Sequence, residues 1–320
     1  MISFQPNCWS EYDPLEVVLL CTPASVSITN QENANMVQSN APIHHEKAAE
    51  QHHHFKATLK QEGVEVIDVE EQLSDDMKQL SSQLVHRTFV RDIACVIGNK
   101  VIPGVPGVTM RSAEYDMVHK LMEGWFSKET FLSANQHIDW VRRTSPLEFG
   151  DVFILNKDAV FINVGKRSSE ESVARLLPHL KSQGFSEVGI IDLPHQSDTL
   201  HLDMNCNVAG EDIVVAKQGL HHFPVRLITE STHQYMMMEQ FLMRHGFEVI
   251  WVDKYAAIPD FNFLTIHPEA IVLSKNAKKS AFRHHDKLKH KKMIEVDVNE
   301  LEKGGGGIRC MTLPLRRALS

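Results

Sequence analysis

Val173-Ala174-Arg175-Leu176-Leu177-Pro178-His179-Leu180-Lys181-Ser182-Gln183-Gly184-Phe185-Ser186-Glu187-Val188-Gly189-Ile190-Ile191-Asp192-Leu193 changes its hydrophobic period part-way along. Val173, Leu176, Leu177 and Leu180 fall at helical spacing on one face, and an apolar run suited to a buried strand starts at Val188. Gly184 separates the two, where a helix ends most easily on a residue that accepts positive φ. Upstream, Ser168-x-x-Glu171 fits a capping box. The same order occurs twice more. Ala48, His52, Phe55 and Leu59 precede Gly63 and Val64-Glu65-Val66-Ile67-Asp68-Val69. Tyr235, Met238, Leu242 and His245 precede Gly246 and Val249-Ile250-Trp251-Val252-Asp253, with Ser231-x-x-Gln234 as the expected cap.

Short strands fill the intervals: Leu15–Cys21, Ala94–Ile97, Val152–Leu155, Ala159–Asn163, Ile213–Val215 and Ala270–Leu273. Tight turns at Gly98-Asn99-Lys100 and Asn156-Lys157-Asp158 join some of them. The repeating unit is therefore strand, strand, helix, strand. Such repetition implies one continuous α/β architecture, a single domain over residues 1–320. The polar segment from Ser25 to Pro42 reads as a long loop, a candidate lid.

Composition excludes several classes. Net charge is −8, which argues against nucleic acid as a partner and suits a cationic ligand. The basic stretch at 278–292 reads as a solvated face. Five scattered cysteines, Cys8, Cys21, Cys95, Cys206 and Cys310, are no disulfide framework and contain no CxxC pair for zinc. His52, His53 and His54 point about 100° apart on a helix, so they do not converge on a metal. No leader pattern opens the chain and no apolar run of about eighteen residues crosses a membrane, so a cytoplasmic setting is expected.

Near the far end, Gly304-Gly305-Gly306-Gly307-Ile308-Arg309-Cys310-Met311-Thr312 joins four glycines to a cysteine. Glycine supplies positive φ and close backbone approach. Arg309 beside Cys310 is expected to favour the thiolate. Four other stretches place charged residues at strand or helix ends. Arg91-Asp92 opens a strand; Glu148-Phe149-Gly150-Asp151 precedes another; Lys166-Arg167-Ser168 lies at a helix start that suits an anion. In His201-Leu202-Asp203, an extended backbone would project His201 and Asp203 to one side. Each stretch reads either as a surface ion pair or turn, or as one wall of a site. Taken together, several carboxylates around one site call for a cation among them. A planar guanidinium accepts paired carboxylates, and a thiolate above its carbon could attack.

These stretches resemble the guanidino-group-modifying superfamily of arginine deiminases, dimethylarginine dimethylaminohydrolases, arginine dihydrolases and amidinotransferases. The resemblance runs from about Leu15 to Arg316. It rests on Gly-Gly-Gly-x-x-Cys-Met-Thr-x-Pro at 305–314, Phe89-Val90-Arg91-Asp92, His201-Leu202-Asp203, Glu148-Phe149-Gly150-Asp151 and Lys166-Arg167-Ser168, in the family's order. It implies a five-bladed α/β propeller (pentein fold) of ββαβ units around a central site. It implies Cys310 as nucleophile, His201 as acid and base, and Glu148 as the group that orients His201 and holds a guanidinium nitrogen. Asp92 and Asp203 would grip the other nitrogens, and Arg167 with Arg111 would bind an α-carboxylate. Phe149 departs from the family's glycine, and His86-Arg87 from its Pro-Asn. The expected activity is hydrolysis of a small arginine-like guanidine with no metal and no organic cofactor. An amidinotransferase, or a binding protein that kept the fold without catalysis, are the alternatives.

Overall fold

The computed structural model of the protein describes residues 4–132, 145–196, 199–253 and 257–319. Met1–Ser3, where no leader pattern is expected, lie outside these. Among the described residues, sixteen strands form five sheets on one plan. An antiparallel hairpin is followed by a helix and then by a strand parallel to the hairpin.

β1 (Leu15–Leu20) and β2 (Glu65–Asp68) pair in parallel across the helix His45–Gln61. β3 (Ala94–Ile97) and β4 (Lys100–Pro103) form a hairpin, followed by the helix Ser112–Trp125 and a parallel bridge from Val101 to Phe131. β5 (Val152–Ile154) and β6 (Ala159–Val164) lead through the helix Glu170–Ser182 to β7 (Glu187–Asp192). β8 (Cys206–Gly210) and β9 (Ile213–Lys217) are followed by an inserted hairpin, β10 (Pro224–Ile228) and β11 (His233–Met237), which extends the previous sheet through β7. The helix Met238–Arg244 and β12 (Glu248–Val252) then complete the fourth unit. β13 (Leu264–His267), β14 (Ala270–Ser274) and β15 (Lys292–Val296) make the fifth. β16 (Leu313–Arg317) returns to pair antiparallel with β1, so the first unit is built from both ends of the chain. The result is a five-bladed α/β propeller.

Before each hairpin the chain makes a short turn at the centre, and neighbouring turns hold one another. Leu202 N donates to Asp151 Oδ1 at 3.0 Å, and Asn262 Nδ2 to the carbonyl of Asp203 at 3.0 Å. Cys310 N donates to Asn262 Oδ1 at 2.9 Å, and Arg91 N to the carbonyl of Cys310 at 3.1 Å. Val105 and Leu147 exchange backbone bonds of 2.8 and 2.9 Å, which closes the circle between the second and third units.

The three glycine stops are in place, with φ of +84° at Gly63, +99° at Gly184 and +88° at Gly246. Ala48, His52, Phe55 and Leu59 form the buried face of their helix. Other expectations need correction. The cap of the helix Glu170–Ser182 is Ser169, whose side chain accepts from Ser172 N, while the Ser168 hydroxyl turns inward to Asp151. Residues 233–237 pair with β10 as a strand, so Tyr235 is exposed, and the helix begins at Met238 with Gln240 accepting from Met237 N. The 25–42 segment contains a helix, Gln31–Met36, capped by Asn30. In the 278–292 stretch, Lys279, Lys287, Lys289 and Lys292 pair with Glu295, Asp212, Asp286 and Glu62, consistent with a solvated face. All five cysteines are unpaired and buried. No described helix is long and apolar enough to cross a membrane.

Close packing sets the spacing between sheet and helix. A Cβ at Gly189 would lie 2.4 Å from the buried ring of Phe241. Gly189→Ala is therefore expected to cost about 1–3 kcal/mol by overpacking, read as a lower midpoint in thermal or urea unfolding.

Candidate active site

The central turns open on a cavity of about 760 Å³. Cys310, His201, Glu148, Asp92, Arg111 and Arg167 all line it. Asp203 does not. It is fully buried behind the sulfur, with Oδ2 at 3.5 Å and Oδ1 at 3.8 Å from Cys310 Sγ. The reason is local backbone geometry. Leu202–Met204 is a 3-10 turn rather than an extended strand, so His201 and Asp203 are not held to one side.

His201 Nε2 lies 2.7 Å from Glu148 Oε2, and its Nδ1 faces Asp92 Oδ1 at 3.8 Å. Burial alone would push the imidazolium pKa down, but the carboxylates of Asp92, Glu148 and Asp151 outweigh it and raise the pKa to about 10. The ring is therefore a cation at neutral pH. Burial works against the Glu148 carboxylate, yet the bond and charge of His201, with Arg167 and Arg111, hold its pKa below the usual range. Glu148 Oε1 also accepts from Gly107 N at 2.7 Å and from Arg167 Nη1 at 3.3 Å. The close approach of this turn to His201 needs Gly150, where a Cβ would meet the imidazole at 2.8 Å. Asp151, whose role is not evident in the sequence, accepts from Asn163, Ser168 and Leu202 N and so pins the segment that carries His201. Phe149 is buried in the hydrophobic core and stays away from the cavity.

The two cavity arginines differ. Arg111 donates from Nη1 to Asp92 at 2.6 Å, from Nε to Glu114 at 2.8 Å and from Nη2 to the Phe89 carbonyl at 2.9 Å. It serves as the counter-ion of Asp92 rather than as a free receptor for a carboxylate. Arg167 reaches Gln38 of the 25–42 segment at 3.0 Å, and its Nε is buried without a partner. The segment also supplies Asn35, Ser39 and Asn40 to the cavity wall, and His86 holds the carbonyl of Val37. Burial keeps His86 neutral, with its pKa down at about 4. Arg87 lies elsewhere, bound to Glu70, Ser81 and the Pro23 carbonyl.

The glycine run works by close approach. A Cβ at Gly306 would sit 2.6 Å from Phe89 and 3.0 Å from Cys310 Cβ, and one at Gly307 would sit 2.8 Å from Asn262. The expectation for Arg309 is overturned. Adjacent side chains diverge here, and Arg309 binds Asp203 at 2.9 Å and Glu11 at 3.0 Å over the Phe153 ring. Burial raises the Cys310 thiol pKa well above the ordinary value, and Asp203 and Asp92 raise it further, while the Gly307 backbone and Asn262 pull the other way. These influences together favour the thiol form of Cys310. Among the described residues, Asp92, Glu148 and His201 form the group that is compact enough to hold a metal ion. Arg111 and Arg167 already balance its two carboxylates.

The family model for arginine deiminase matches residues 79–317. The chain belongs to the arginine deiminase family. It is 24% identical to the uncharacterised protein YkgA of Bacillus subtilis over 97% of this chain and 95% of that one. It is 26% identical to arginine deiminases of Staphylococcus epidermidis, over 56% of this chain, and Listeria welshimeri, over 77%. It spans 50% and 65% of the length of those two enzymes. Its fold matches dimethylarginine dimethylaminohydrolase from Pseudomonas aeruginosa in complex with citrulline, at TM-score 0.67, 16% identity, and 94% and 99% coverage of the two chains. It also matches an amidinotransferase of saxitoxin biosynthesis from Microseira wollei, at TM-score 0.68, 16% identity and 98% of both chains. The family thus lies in the superfamily of enzymes that act on guanidino groups.

Two measurements test these electrostatics. Arg309→Ala leaves Asp203 and Glu11 buried without their cation and should cost roughly 3–5 kcal/mol in urea unfolding. His201 has a raised folded pKa, so its stabilisation is full below the ordinary histidine value and is lost as pH climbs toward about 10. The gap in unfolding free energy between the wild type and His201→Gln should narrow over that range.

Proposed function

We propose that the protein hydrolyses a guanidino C–N bond of arginine or an arginine derivative through a covalent thiouronium on Cys310. The observation that carries this reading is the convergence of a buried cysteine, a cationic histidine and two carboxylates on one cavity. Asp92 Oδ1 is buried without a hydrogen-bond partner, an acceptor placed for a donor from a ligand. A guanidinium supplies such donors from a flat, charged face. Its carbon would lie over Cys310 while its N–H groups bond to Asp92 and Glu148.

The raised thiol pKa fits the same reading. A cation entering beside Asp92, with Asp203 behind the sulfur, offsets the charge that disfavours the thiolate, so the thiol gives its proton up to solvent water as the substrate seats and the nucleophile forms where its substrate sits. Sulfur adds to the guanidinium carbon, and the His201 imidazolium gives its proton to the leaving amine. The neutral imidazole then takes a proton from water as the oxygen attacks the thiouronium carbon. Collapse breaks the C–S bond, the departing sulfur takes up the hydroxyl proton and becomes a thiol again, and a ureido product is left. Arg167, with Lys166 exposed beside it at the rim, is the group that would receive a substrate carboxylate. A small substrate in the family of arginine suits this distribution of charge.

The test is a screen of arginine, methylated arginines, agmatine and guanidino acids, with colorimetric detection of ureido product. Cys310→Ser should abolish turnover and retain substrate binding; turnover by that variant overturns the mechanism. His201→Ala should lose roughly 10²–10⁴ in rate and stall at or before the adduct, as seen by intact mass. Consumption of substrate that requires an added amine and yields no ureido product would mark an amidinotransferase instead.

A further inference from the structure

Asn262 lies between Phe261 and Phe263, in the turn before β13, and is buried. Its place in the fifth unit corresponds to the turns that carry Asp92, Asp151, Asp203 and Cys310 in the others. Its side-chain oxygen accepts from Cys310 N at 2.9 Å. Its side-chain nitrogen donates to the carbonyl of Asp203 at 3.0 Å and to Cys310 Sγ at 3.1 Å. These partners fix which end of the amide is which. A backbone N–H must face the oxygen, and a backbone carbonyl must face the nitrogen. One of the two amide hydrogens is committed to Asp203, and the other points at the sulfur. The Arg309 backbone N–H holds the Asn262 carbonyl at 3.1 Å, so residue and nucleophile are tied at both ends.

We propose that Asn262 is a catalytic residue that donates a hydrogen bond from Nδ2 to the Cys310 sulfur and stabilises the thiolate from which attack begins. This rests on the reading of Cys310 as the nucleophile. The other charged groups facing the sulfur do not supply such a donor. Asp203 lies 3.5 Å away and Asp92 shares the cavity, both opposing a negative sulfur. Glu148, His201 and Arg111 line the same cavity, with His201 committed to Glu148 and Arg111 to Asp92 and Glu114. Arg309 is turned to Asp203 and Glu11. Among the described residues, Asn262 is the side chain that donates to Sγ. A donor to the charged form lowers a pKa, and a thiolate with one fixed donor also keeps a fixed direction of attack.

The test is the pH dependence of Cys310 alkylation by iodoacetamide, read by peptide mass in the wild type, Asn262→Ser and Asn262→Asp. Asn262→Asp keeps an acceptor for Cys310 N and replaces the donor by a charge. The midpoint should rise by about one pH unit in Asn262→Ser, a tenfold slower alkylation at neutral pH, and further in Asn262→Asp. The alkaline shift should recur in the pH profile of kcat, with KM little changed. An unmoved midpoint in variants that keep the wild-type melting temperature overturns the proposal. Should neither variant fold, the unmodified protein decides. With 15N-labelled asparagine, the Asn262 side-chain resonance should track the thiol titration and lose that response in Cys310→Ser, and a resonance indifferent to the titration overturns the proposal. Turnover by Cys310→Ser defeats the nucleophile reading, whereas a required Cys310 whose titration ignores Asn262 defeats this inference alone.

Discussion

Charge balance among buried groups governs this molecule. Asp92, Glu148, Asp151, Asp203 and Glu11 are all buried at its centre. An uncompensated carboxylate there costs several kcal/mol. Each therefore has its own solution. Arg111 faces Asp92, His201 and Arg167 face Glu148, Arg309 bridges Asp203 and Glu11, and Asp151 relies on neutral donors. What is left over is one acceptor on Asp92 and a thiol that resists ionisation. Both line the same cavity.

The propeller makes that arrangement possible. Residues separated by more than two hundred positions reach one point because each unit contributes one central turn. The turns bond to their neighbours, so displacing one shifts the groups carried by the next. Leu202 N on Asp151 is an instance: the acid of one unit fixes the histidine of another. Nearby packing tolerates little movement, since Gly150, Gly306 and Gly307 already stand as close to their neighbours as a bare backbone allows.

Much of this was legible in residue order. Gly63, Gly184 and Gly246 mark helix ends because positive φ is cheap for glycine, and three such stops were enough to reveal the unit. Two units escaped. The helix Ser112–Trp125 ends on Phe126 without a glycine, and the fifth unit has a helix of only four residues, Ser280–Arg283. Tyr235, Met238 and Leu242 keep helical spacing, yet pairing with β10 claims the first of them for a strand. Tertiary hydrogen bonds outweigh a short periodic pattern. In the site, Cys310, His201, Glu148 and Asp92 were recognisable from their motifs. The position of Asp203 was not, because alternation along a strand does not apply to a 3-10 turn. Arg309 misleads for a related reason: a neighbour in sequence can point to the opposite side of the backbone. Asn262 carries no signal of its own type. Its one trace is its place just before a strand pair, where three other units keep an aspartate and the first keeps Cys310.

The seam between β1 and β16 has a consequence for how the molecule comes into being. Arg316 and Glu16 meet across a separation of 300 residues. Bringing such distant segments together is costly in chain entropy, although the cost grows only with the logarithm of the loop. During vectorial synthesis the second to fifth units can be made while β1 still waits for its antiparallel partner. The same late segment carries the sulfur. The nascent chain thus receives Cys310 together with the strand that covers the open edge of β1.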